Sequence, residues 1–257
     1  MKTYENSSPC GLSLTGKVRT VNEDSFLYTN EKDYPNHLAI IADGIGGNLN
    51  GEIASRLCCQ YFYEIWETKQ AMFIESVREM EIFMRKTLDQ VNARIFELNR
   101  ANDTLEEPMG TTIVASAVMP RDIVTVHAGD SRFYEFRGGK LVCLTVDHTL
   151  MQENRELFLD EINIFPPGYE LLNLITKSVG TAATIEDDDA KAPMITTVKR
   201  RPDSRYMLCS DGLSHMVDND RISIILKNTA DNKNAINKLV AACFSAGAED
   251  NVSIILF

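Results

Sequence analysis

The stretch Leu38-Ala39-Ile40-Ile41-Ala42-Asp43-Gly44 is a run of five apolar residues closed by an aspartate and a glycine. Five residues is strand length and too short for an ordinary helix. Runs of the same kind recur at 25–29, 111–118, 123–128, 133–136, 141–144, 206–209 and 252–257, and most of them are rich in β-branched or aromatic residues. Together they predict a β core. Gly138-Gly139 separates two of the runs, and a tight turn needs residues that accept positive φ, so an antiparallel hairpin is expected there.

Two helices are predicted between residues 42 and 111, one over 51–67 and one over 72–102. In the second, Phe73, Val77, Met80, Met84, Leu88, Val91, Ile95 and Leu98 follow one another by threes and fours, which places them on one face. Such a stripe packs on a sheet. A further helix is expected over 234–246.

At 257 residues, with no internal repeat and no Gly/Ser- or Pro-rich linker, the chain reads as a polar tail over 1–9 and a single domain over 10–257. Neither a secretory leader nor a membrane span is visible, so a cytoplasmic protein is expected. The six cysteines include no C-x-x-C pair and are expected to be reduced core thiols. A net charge of −11 argues against nucleic acid and anionic membranes as partners, because both require a basic face.

Acidic residues recur at the ends of the apolar runs. Glu23 and Asp24 lead into 25–29, Asp43 closes 38–42, Asp130 follows 123–128, Asp211 follows 206–209, and Glu249 and Asp250 precede 252–257. One Asp-Gly is ordinarily a turn. Five strands with a carboxylate at one end can bring those groups together at one edge of a sheet, where they would repel unless cations were present. An all-oxygen set suits hard ions such as Mg²⁺ or Mn²⁺, whereas zinc asks for His or Cys at motif spacing, and none of the four histidines is so spaced.

In chain order the motifs are Arg19-Thr20-Val21-Asn22-Glu23-Asp24, Ala42-Asp43-Gly44-Ile45-Gly46-Gly47, Met109-Gly110-Thr111-Thr112 and Ala128-Gly129-Asp130-Ser131-Arg132. Asp147-His148, Thr176-Lys177-Ser178-Val179-Gly180, Leu208-Cys209-Ser210-Asp211-Gly212-Leu213 and Asp250-Asn251 follow. This series resembles the type 2C metal-dependent protein serine/threonine phosphatases, in their bacterial form, over nearly the whole chain. The resemblance implies an α+β fold, a four-layer αββα sandwich of two antiparallel β-sheets flanked by helix pairs. It implies hydrolysis of phosphoserine and phosphothreonine in proteins by a water bridging two Mn²⁺ or Mg²⁺ ions. Asp43 would bridge the cations, with Glu23 and the Gly44 carbonyl on one side and Asp211 and Asp250 on the other. Asp24 would act through water, Asp130 would hold a third, weaker ion that shares Asp211, and Arg19 would bind the substrate phosphate. Phosphoproteins and a cognate Ser/Thr kinase are the implied partners, and a monomer is expected.

Ile45 departs from members with a histidine after the Asp-Gly, a residue assigned there as general acid. His148 is a candidate acid by type but is better read as orienting a loop, and His215 and His37 carry no signal. Residues 149–173 fall where the family has a flap beside the metals, so Arg155, Phe165 and Tyr169 are candidate substrate contacts, with an inert connector as the other reading. The acid run 186–189 reads as a solvated loop. Two other functions remain: a phosphoprotein-binding module with weak turnover, and a phosphatase of a small phosphorylated metabolite.

Overall fold

In a computed structural model the described residues are 9–29, 35–45, 50–68, 71–153, 174–186 and 194–257. One sheet has the order β1 (Cys10–Leu14), β11 (Val252–Leu256), β10 (Ser204–Cys209), β7 (Arg132–Arg137), β8 (Lys140–Cys143). The other runs β2 (Asp24–Tyr28), β3 (His37–Ile45), β5 (Ile113–Val118), β6 (Asp122–Ala128), β9 (Ile195–Lys199), with the short β4 (Gly110–Thr111) on the end of β3. Every pairing between these strands is antiparallel, including the predicted β7–β8 hairpin. Helices α1 (Gly51–Trp66) and α2 (Val77–Ala101) precede β4, and the one-turn α3 (Leu150–Glu153) follows β8. The one-turn α4 (Asp211–Ser214), then α5 (Asn219–Asn228) and α6 (Asn232–Ala246), lie between β10 and β11.

The unbroken apolar run in β3 now has a physical reason. Leu38, Ile40 and Ala42 enter a core shared with α1 and α2, while Ala39 and Ile41 enter a second core with Phe133, Tyr206, Leu208 and Ile255 of the opposite sheet. Burial on both faces removes the need for alternation. A third core packs the outer face of the first sheet on α4, α5 and α6. The result is the expected order of layers, helices, sheet, sheet, helices. No described helix is long and apolar enough to cross a membrane, and all six cysteines are free thiols.

The second helix differs from the sequence reading. It starts at Val77, with Ser76 in extended backbone as its cap, and residues 71–73 form a separate 3₁₀ turn that leaves Phe73 57% exposed. The rest of the stripe is core: Met80, Met84, Leu88, Val91 and Ile95 are fully buried. The Ser76 hydroxyl accepts from the Glu79 N–H, as a cap should. Ser76→Ala should therefore destabilise the protein by about 0.5–1 kcal/mol in urea unfolding. Stabilisation by the substitution would return Ser76 to a helix interior, where alanine is the better residue.

Strands β1 and β9 and helix α5 were not among the predicted elements. The tail 1–8, Gly46 and Gly47, residues 154–173 with Arg155, Phe165 and Tyr169, and residues 187–189 lie outside the described residues.

Candidate metal centre

Asp24 opens β2 and pairs across the ladder with Asp43 of β3, so one sheet presents two neighbouring acids. The other sheet supplies Asp211, the first residue of α4 just beyond β10, and Asp250, two residues before β11. Asp130 lies in the turn from β6 to β7, where the chain crosses between sheets. The acids therefore meet across the sandwich, and not along the edge of a single sheet. Asp43 also lies inside β3 where the sequence suggested that it follows the strand, because Gly44 and Ile45 continue the ladder against Thr111 and Gly110 of β4.

The motif around Thr111 and Thr112 fixes the backbone of Asp43. The Thr111 hydroxyl and the Thr112 N–H both donate to the Asp43 carbonyl at 2.8 Å, and the Asp43 N–H donates to the Thr112 hydroxyl at 3.2 Å. Glu23 and Gly44 are brought together by a close approach at Gly51. A Cβ there would lie 2.7 Å from Glu23 Oε1 and 3.1 Å from the Gly44 carbonyl carbon, so only glycine leaves the space. Asn251 ties the loop that carries Arg19 to β11: its side chain accepts from the Glu23 N–H and donates to the carbonyls of Thr15 and Val21.

Burial, with the charges of Asp24, Asp211 and Asp130 nearby, pushes Asp43 well above the usual carboxylate range. Burial pushes Asp24 up to about 7, although it accepts from the Ser210 hydroxyl at 2.8 Å. Burial and the charge of Asp211 push Asp130 up to about 7. Burial acts upward on Asp211 too, but the hydrogen bond and charge of His215 hold it below the ordinary value. Acids so crowded need positive charge. Asp24 Oδ1, Asp130 Oδ1 and Asp211 Oδ1 are buried oxygens with no hydrogen-bond partner among the described residues, which fits a centre built to bind cations. Asp43 and Asp211 are partly exposed.

Arg19 is half exposed and donates from Nη2 to Asp250 Oδ2 at 2.8 Å, with Glu23 Oε2 at 4.0 Å from Nη1. Arg19 thus lies beside Asp250 and Glu23, and a guanidinium with five N–H donors keeps others for an anion.

One residue was missed by the sequence reading. His215 Nδ1 lies 3.3 Å from Asp211 Oδ2, and ligand atoms of Asp130, Asp211 and His215 all fall within 4.8 Å of one another. The signal was the spacing of four from Asp211 to His215, one helical turn.

The chain matches the family model described as protein phosphatase 2C over residues 16–252. The serine/threonine phosphatase stp of Listeria welshimeri is 29% identical over 245 residues, covering 94% of this chain and 91% of the relative. The protein phosphatase PhpP of Streptococcus pneumoniae is 30% identical over 239 residues, covering 89% and 91%. Among solved structures, the S. agalactiae serine/threonine phosphatase is similar with a TM-score of 0.84 at 27% identity, covering 97% of this chain and 98% of that one. The catalytic domain of the serine/threonine protein phosphatase PstP, solved in complex with two manganese ions, has a TM-score of 0.76 at 28% identity, covering 97% and 96%.

Proposed function

Because this chain belongs to the protein phosphatase 2C family, we propose that it removes phosphate from phosphoserine and phosphothreonine in proteins, using Mn²⁺ or Mg²⁺. The observation that carries this reading is the set of buried, partnerless carboxylate oxygens on Asp24, Asp130 and Asp211 around Asp43. Asp43, Glu23, the Gly44 carbonyl, Asp211 and Asp250 hold the two principal ions, and Asp24 supports them from behind, fixed by Ser210. When bound, such a pair lowers the pKa of the attacking water and offsets charge on the phosphoryl oxygens.

Asp130, Asp211 and His215 hold a third, weaker ion, and the imidazole favours Mn²⁺ over Mg²⁺ there. Arg19 takes phosphate oxygens through its planar fork of donors. Opposite a Ser/Thr kinase, the enzyme acts as a monomer in the cytoplasm, where free thiols such as its six are stable.

The test is hydrolysis of matched phosphoserine, phosphothreonine, phosphotyrosine and sugar-phosphate substrates with Mn²⁺, Mg²⁺ or excess chelator. Turnover of the first two with metal alone is expected. Full activity in chelator, or preference for the sugar phosphate, overturns the reading. Arg19→Ala should lower kcat/KM for phosphopeptides by roughly 10–100-fold, the worth of a charge-assisted hydrogen bond. An unchanged kcat/KM removes Arg19 from the phosphate site.

A further inference from the structure

Asp130 stands on a short turn, and the chain on both sides of it is gripped by one dipeptide, through the backbone of Gly129 and the side chain of Arg132. The His148 N–H donates to the Gly129 carbonyl at 3.0 Å, and the Gly129 N–H donates to His148 Nδ1 at 3.2 Å. Both backbone groups of Gly129 are therefore taken by one residue. On the far side of Asp130, Arg132 Nε donates to Asp147 Oδ1 at 2.9 Å and Nη2 to Asp147 Oδ2 at 2.6 Å, a bidentate pair. The turn has no slack. Gly129 has φ +104°, and a Cβ on it would lie 2.6 Å from the Thr112 methyl, while Ser131 shares a 2.8 Å hydrogen bond with the Thr112 hydroxyl.

The His148 ring is itself held. It is fully buried and stacked on His127, with centroids 4.5 Å apart and planes 21° apart, and His127 Nε2 bonds the Val146 carbonyl at 2.9 Å. An Nδ1 that accepts from a backbone N–H carries no proton, so this imidazole does not present that nitrogen as an acid.

We propose that His148 is a positioning residue for Asp130: by accepting the Gly129 N–H and donating to the Gly129 carbonyl, together with the Asp147–Arg132 pair, it holds the Asp130 carboxylate against Asp211 and His215. The proposal rests on the reading of Asp130 as a working residue of the centre. A residue that only stabilised the fold would also satisfy the buried Gly129 N–H, so the two roles are separated by whether the loss of turnover depends on Asp130.

His148→Phe keeps a ring on His127 and removes the acceptor, whereas His148→Asn gives up the ring but keeps an acceptor near the same place. Outer-shell partners of metal ligands cost roughly 10–100-fold when lost, so His148→Phe should lower kcat on a phosphopeptide by an amount in that range. His148→Asn should recover most of the loss despite a lower Tm. In an Asp130→Ala background His148→Phe should cost nothing further. No loss in His148→Phe, a loss undiminished in the Asp130→Ala background, or activity that follows Tm across the two variants would each overturn the proposal. Mn²⁺ titration of the wild type and Asp130→Ala reads the third ion separately. If no weak site is lost, the third-ion reading fails, while the double-mutant cycle still decides whether His148 acts through Asp130.

Discussion

Replacing Asp43 with Asn should lower phosphopeptide turnover by about a thousandfold or more while leaving the protein folded. Even outer-shell partners of a metal centre are worth roughly 10–100-fold, and Asp43 is the acid on which Asp24, Asp211 and Asp130 converge. An amide is nearly isosteric with the carboxyl, so the packing around the site is kept. What disappears is the charge. In excess chelator the Asn variant should have a higher Tm than the wild type, because it removes one of four crowded acids whose ionised forms repel. With Mn²⁺ the order should reverse, since ligand binding stabilises the folded state in proportion to affinity. Turnover assays and thermal melts with and without metal test both halves. Activity within tenfold of wild type would remove Asp43 from the centre, and a lower Tm in chelator would mean that its charge supports the fold.

The sequence was most readable where burial is complete. Residues 38–42 lie between two cores, so apolar composition alone marked them. Edge strands carry less signal. β1 and β9 each have a single neighbour in their sheets, and their sequences CGLSL and ITTVK mix polar with apolar residues accordingly. The start of α2 was obscured because the apolar spacing from Phe73 to Val77 continues the helical period through the cap, although Ser76 and Glu79 have the spacing of a capping box. The acids of the centre were visible one at a time at strand ends, but their meeting across two sheets was not. Arg19 and Asp250 touch across 231 positions of sequence. His215 was hidden for a local reason: its partner Asp211 begins a helix of four residues, too short to produce a periodic pattern.

Asp130→Ala should separate substrates by their leaving groups. Ile45, which ends β3 beside the centre, has no proton to give, so a serine or threonine alkoxide must be protonated from elsewhere in the cleft. Asp130 and His215 extend the centre beyond the principal ligands, meeting it at Asp211, and this corner holds buried oxygens without partners. If that corner serves the leaving group, its loss removes acid assistance, worth about 10²–10⁴ in rate for a poor leaving group. An aryl phosphate releases a phenolate that needs little protonation and should lose much less. Metal titration should show the two tight ions retained and the weak one gone. The measurements are kcat on a phosphopeptide and on an aryl phosphate, with Mn²⁺ binding, for wild type and Asp130→Ala. Equal losses on both substrates would count against a leaving-group role, and loss of the tight pair would make Asp130 a support of the principal site.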